Sequence, residues 1–258
     1  MKMSYKTLAA AVALALTGTA NAAIQNFTSG NGELFLSVRD NIAQQSYVLD
    51  LGVTMNDFIA TGYAANNTWT DPSIAAFVNG RTDLSWSVLA GDSAGNTAPG
   101  DLRYMTTTQA TGWSMTNTDI INLVAMNTYV DSVNSNIWGQ TQAMVADNLN
   151  GIQSNTLDPS YYSTLYDTWG SATNTPFSNT AALDQSQTFY MMSNTLNGRG
   201  LGGNPATVDT YGTFTLTANG LQYAAAAPAA TPIPAAVWLL GSAMVGLVGV
   251  ARRRTNMA

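Results

Sequence analysis

Two uncharged apolar runs at opposite ends of the chain decide how much of it can build a water-facing domain. Near the N-terminus, Leu8 to Leu16 (LAAAVALAL) follows Lys2 and Lys6 and is too short to cross a bilayer. Near the C-terminus, Ala235 to Val250 (AAVWLLGSAMVGLVGV) carries no charge and is closed by Arg252, Arg253 and Arg254. The fold has to come from what lies between them, residues 23–223.

Each run reads as part of a larger signal. A positive start, a short apolar stretch and Ala20-Asn21-Ala22 are the parts of a secretory signal peptide over residues 1–22. The small residues Ala20 and Ala22 place signal-peptidase cleavage before Ala23. At the other end, Ala224–Ala230 (AAAAPAA) opens a small-residue linker over 224–231. Pro232, Ile233, Pro234 and Ala235 follow. Both prolines fix φ and lack an N–H, so they hold this segment extended and delay the start of the helix. The nineteen residues from Ile233 to Ala251 rise about 1.5 Å each, close to the ~30 Å of a hydrocarbon core. The pattern predicts a transmembrane helix over 235–251. The arginines would stay on the cytoplasmic side, and Trp238 sits near the outer interface. A cleaved N-terminal signal demands the same orientation.

The run PIPAAVWLLGSAMVGLVGVARRR, Pro232 to Arg254, resembles the PEP-CTERM sorting signal, and more closely its VPLPA-CTERM variant. Thr231 and Ile233 stand where Val and Leu are usual. The resemblance implies recognition of 232–254 by an exosortase, an integral-membrane Cys protease. It implies a Gram-negative bacterium that makes exopolysaccharide, biofilm or floc. It also implies an inner-membrane-anchored precursor, delivered to the cell surface or released. Gly30 to Leu36 (GNGELFL) and Ser46 to Gly52 (SYVLDLG) are similar to ectodomains that carry this tag.

The middle reads as mainly β, β-sandwich-like, or as α+β with a helical insert. Glu33–Arg39 puts Leu34, Leu36 and Val38 on one face, and Gln45–Leu51 does the same with Tyr47, Leu49 and Leu51. Asp40-Asn41 is turn-like between them. Asp83–Ala90 alternates Leu84, Trp86 and Val88, and its expected antiparallel partner is Asp101–Thr108. From Asp119 to Ile152 apolar residues recur at spacings of three and four, which predicts helix broken near Gly139. A second short helix is expected near Asp158–Trp169. Strands return at Gln187–Met192, Val208–Leu216 and Leu221–Tyr223.

The chemistry is bounded by what is missing. Residues 23–258 contain no His, Cys or Lys. That removes Ser-His-Asp and Cys-His nucleophiles, Schiff-base lysines and ordinary zinc sites. Between the terminal signals four arginines face fifteen acids, a net of −11, so no nucleic-acid partner is expected. No cofactor, metal or catalytic residue is assigned, and a non-enzymatic surface role associated with extracellular polysaccharide is the leading expectation. Asp92-Ser93-Ala94-Gly95-Asn96 offers oxygens suited to calcium but lacks EF-hand spacing. Gly198, Gly200 and Gly203 give a Gly-x-Gly-x-x-Gly spacing with no clear helix after it. One alternative is a carbohydrate-binding module whose exposed aromatics are Trp69 (NNTWTDP) and Trp113 (ATGWSMT), both set in polar stretches. A second is an Asp-based glycosidase, which needs a pair of acids flanking a bond.

Overall fold

The computed structural model describes residues 24–25, 27–62, 66–95, 98–109, 111–112, 114–122, 130–131, 151–155, 181–196 and 203–226. The chain divides into two compact units between Ala226 and Ala227, and the described residues belong to the first.

Mainly β is the outcome, but the β-sandwich expectation is corrected: the described strands form one continuous antiparallel sheet rather than two. The strands are β1 (Glu33–Asp40), β2 (Gln45–Thr54), β3 (Asn67–Trp69), β4 (Leu84–Asp92), β5 (Arg103–Thr108), β6 (Gly151–Asn155), β7 (Ser186–Ser193), β8 (Thr207–Thr217) and β9 (Gly220–Ala225). Their order across the sheet is β3-β9-β8-β7-β5-β4-β1-β2-β6. Among the described residues, short α-helices accompany them, including α1 (Met55–Asp57), α2 (Pro72–Val78) and α3 (Asn117–Asn122).

Period-2 alternation builds one face of this sheet. Leu34, Leu36 and Val38 of β1 lie with Tyr47, Leu49 and Leu51 of β2 and with Trp86, Val88 and Ala90 of β4 in a single buried cluster. Phe189, Phe214, Leu216, Leu221 and Tyr223 bring β7, β8 and β9 into the same cluster. Phe58, in a π-helical turn over Phe58–Gly62, fills the centre. Its ring meets Phe189 edge-on at 5.3 Å and Tyr223 at 5.1 Å. A flat nine-stranded sheet could not bring β3, at one edge, against β2, next to the other edge. The sheet is curled, and Trp69 marks the seam. Its indole Nε1, from the edge strand β3, donates to the Leu51 carbonyl of β2 at 3.1 Å. Next to Leu51 the β1–β2 register shifts, jumping from the Phe35↔Asp50 pair to Glu33↔Thr54.

Local chemistry fixes the connections. Asp40 Oδ1 accepts from the Ile42 and Ala43 N–H groups at 2.9 Å each, turning the chain between β1 and β2. Asp71 caps α2 through Ser73 N–H at 2.8 Å, with Pro72 in the first turn. The expected β4–β5 pair is present: Leu89↔Thr106, Ala90↔Met105, Gly91↔Tyr104 and Asp92↔Arg103.

Other expectations move. Ile152 belongs to strand β6, paired with Val48, and not to the end of a helix. Of the helical stretch expected over 119–152, α3 and residues 130–131 are described as helix, and 123–129 and 132–150 lie outside the described residues. So does the helix expected near Asp158–Trp169. The first residues of the linker expected over 224–231 are strand, and 227–231 lie outside the described residues. β9 runs through Ala225, and Ala226 N–H still reaches Tyr211 O at 3.4 Å. The transmembrane helix expected over 235–251 lies outside the described residues. Among the described residues no helix is long and apolar enough to cross a membrane.

Candidate functional site

The pairing of β1 with β2 brings two acids together. Glu33 opens β1 and Asp50 lies on β2 opposite Phe35. Glu33 is tied to the start of the domain: its Oε2 accepts from Gln25 N–H at 2.6 Å, and its own N–H donates to Gln25 O at 3.2 Å. Asp50 Oδ1 accepts from Gly52 N–H at 2.8 Å, where Gly52 has φ 64°. Burial, and secondarily the Glu33 carboxylate, pushes the Asp50 carboxyl up to about 7. This is a carboxyl able to exchange a proton near neutrality beside a second carboxylate. The alternation around Asp50 places it on its face, and the pairing of β1 with β2, in which Asp50 stands opposite Phe35, makes it a neighbour of Glu33.

Two arginines are held in structural networks. Arg103 Nη2 meets Asp92 Oδ2 at 2.5 Å, its Nε adds a second bond at 3.1 Å, and its Nη1 donates to Asn56 Oδ1 at 3.0 Å. Asp92, the first oxygen donor of the Asp92–Asn96 stretch, is therefore engaged with a guanidinium. Asn96, the last donor of that stretch, lies outside the described residues. Arg81 pairs with Asp40, donates to Gln45 Oε1 at 2.8 Å, and stacks over the Phe77 ring at 4.2 Å. Burial of Asp40 opposes its ionisation. The Ala43 and Ile42 N–H groups and Arg81 outweigh that, so its carboxyl sits below its ordinary value. Among the described residues no group of three or more His, Cys, Asp or Glu could hold a metal.

Trp69 is not an exposed loop aromatic. It is 8% exposed, forms the end of β3, and packs against Phe214 at 5.9 Å. A ring so enclosed cannot stack on a sugar. Its NNTWTDP surroundings read as polar because its strand is three residues long. Trp86 is fully buried, with Nε1 donating to Ala182 O at 3.1 Å. Trp113 lies outside the described residues, as do Ala20, Ala22 and Ala23, Pro232, Ile233, Pro234 and Ala235, and Arg252, Arg253 and Arg254. Of the glycine spacing, Gly203 is described and Gly198 and Gly200 are not.

No family model, no curated protein and no solved structure matches this chain.

Proposed function

We propose that this is an exported envelope protein of a Gram-negative bacterium. It is anchored transiently in the inner membrane and processed by an exosortase at the segment Pro232–Ala235, with a structural or interaction role at the cell surface. The observation that carries the reading is the pair of terminal sequence signals, residues 1–22 and Pro232–Arg254, neither of which contributes to the described core. Ile24 is already 2% exposed and Phe27 fully buried, the second and fifth residues after the expected cleavage site. The last strand ends at Ala225, seven residues before Pro232. The described core is thus drawn from the stretch between the two terminal signals, and removal of either signal would leave its residues in place. A non-catalytic role is favoured by the lack of His, Cys and Lys in residues 23–258 and by the engagement of Arg81 and Arg103 in structural pairs.

The test is the mass of the C-terminal peptide of protein recovered from producing cells, which should end within Thr231–Ala235. Pro232→Ala with Pro234→Ala, or deletion of Arg252–Arg254, should leave uncut precursor in the inner membrane. Fractionation identical to wild type would overturn the sorting role.

A further inference from the structure

The outward face of the sheet changes character along its width. Over β1, β4 and β5 it is covered: Phe35, Ser37, Ser87, Leu89 and Thr106 are all fully buried. Over β7, β8, β9 and β3 it opens to solvent. There, direct strand pairing lines up Thr68, Gln222, Thr215 and Ser186 in one row across four strands. Thr213 and Thr188 lie side by side in the next row, with Ala224 flanking Thr213. Thr68, Gln222 and Ser186 are exposed, and Thr213, Thr215 and Thr188 half-exposed. Phe214, Leu216, Phe189 and Tyr223, at the alternate positions, point into the core.

None of the fifteen acids and none of the arginines stands in these rows. The flanking rows are uncharged too, closing on Thr217 and Gly220 at one end and on Tyr190 and Thr210 at the other. Solvent-facing strands near a sheet edge ordinarily carry charge, which blocks unwanted pairing. Here the nearest acids, the exposed Asp184 ahead of β7 and the exposed Asp209 of β8 beyond Thr210, lie outside the rows, and others sit in pairs and turns around Asp40, Asp71 and Asp92. The result is a neutral field of hydroxyl and amide groups on a domain of strongly negative net charge. Neighbouring strands repeat about every 4.8 Å, and alternate residues along a strand about every 6.8 Å. A chain lying across the strands meets a donor or acceptor at each step. Ser186 Oγ and Thr215 Oγ1, 2.7 Å apart, already form one such link.

We propose that this face binds an uncharged polysaccharide strand laid across β3, β9, β8 and β7. A neutral hexose polymer presents repeated hydroxyls that match repeated hydroxyl and amide partners and asks for no counter-charge. An anionic polymer would meet the −11 domain at a distance comparable to the ~8 Å screening length of physiological salt. The surface therefore selects neutral over acidic glycans. This rests on the exported reading above for access to such a polymer.

The experiment is affinity electrophoresis of the full chain, in a neutral detergent, through gels containing dextran, galactomannan or alginate. Two double variants are compared. Thr213→Glu with Thr215→Glu puts charge into the rows, and Thr213→Val with Thr215→Val keeps the branched shape but removes both hydroxyls. Gln44→Glu, in the β1–β2 turn, is the charge control, and thermal melting verifies that each variant is folded. Retardation by at least one neutral gel and not by alginate is expected. It should weaken about tenfold in both double variants, as the loss of two hydrogen-bonding groups implies, and stay unchanged in Gln44→Glu. Absence of retardation in both neutral gels, equal retardation by alginate, or full retention by the folded double variants would each overturn the proposal. C-terminal processing is read separately by mass, so failure here is distinguishable from failure of the sorting role.

Discussion

Replacing Trp69 with phenylalanine and with alanine separates the two things its side chain does. The ring fills the seam beside Phe214, and the indole N–H satisfies the Leu51 carbonyl. An aromatic side chain buries about 150–250 Å², and Trp69 is 8% exposed. At about 25 cal/mol per Å² that is roughly 4–6 kcal/mol of gross burial. Truncation to alanine, with a partly relaxed cavity, should cost about 3–5 kcal/mol. Phenylalanine keeps much of the packing but strands the Leu51 carbonyl, at about 1–2 kcal/mol. Whole-domain stabilities lie near 5–15 kcal/mol, so the alanine variant should lose much of its fold. Urea unfolding followed by far-ultraviolet circular dichroism measures both, provided the slope stays constant. If both variants unfold within about 0.5 kcal/mol of wild type, the ring is not in the core. The curled sheet would then lack the seam described.

Three further outcomes follow from particular contacts. Gly220 has φ 141°, and a Cβ there would collide with the Trp69 carbonyl. Gly220→Ala should therefore separate β3 from β9 and destabilise by about 1–3 kcal/mol, and a melting temperature equal to wild type would contradict that close approach. Asp50, pushed up to about 7, holds a proton in the folded state that the unfolded chain releases above its ordinary 3.8. Its contribution therefore makes stability fall as pH rises from about 4 through about 7. Asp50→Asn should remove that slope, and an identical fall in the variant, read as urea midpoints at about pH 5 and about pH 8, would refute it. Asp40 works in the opposite direction, its carboxyl held below the ordinary value. The stability it supplies is present above the unfolded value and is lost as pH falls through the lower folded one. Asp40→Asn should flatten the acid limb of the stability curve, and an unchanged limb would count against the Arg81 pair.

What the sequence discloses and what it conceals divide along a physical line. β1, β2, β4 and β5 are legible because Leu34, Leu36 and Val38, or Leu84, Trp86 and Val88, alternate with smaller or polar residues over a full strand. β6 is concealed because GIQSN has one large apolar residue, and Ile152 falls in step with a helical spacing that runs up to it. β3 is concealed for a different reason. Three residues cannot display a period, and its partner β9 lies some 150 positions away in the chain. That same separation hides the role of Trp69, which looks like a loop aromatic until β9 is in place. Alternation also reports a face without reporting closure, so a curled single sheet and a sandwich read alike. The Glu33–Asp50 proximity depends on how β1 pairs with β2, which no local pattern encodes. The neutral rows are visible as Thr213-Phe214-Thr215-Leu216-Thr217, but the neighbours of these threonines are assigned only by pairing.

The position of β9 also sets a schedule. It is the last described strand in the chain, yet it lies between β8 and β3 rather than at an edge. Until residues 220–225 have emerged, β3 has no neighbour to pair with, and Trp69 and Phe58 lack Leu221 and Tyr223 beside them. Such a contact spans most of the domain, and long-range pairing of this kind is slow to form. A growing chain therefore keeps its ends apart until nearly all of the domain has been made. Were the chain, whose export is proposed above, to cross unfolded, a lock that waits for the last described strand would preserve the loose state during transit.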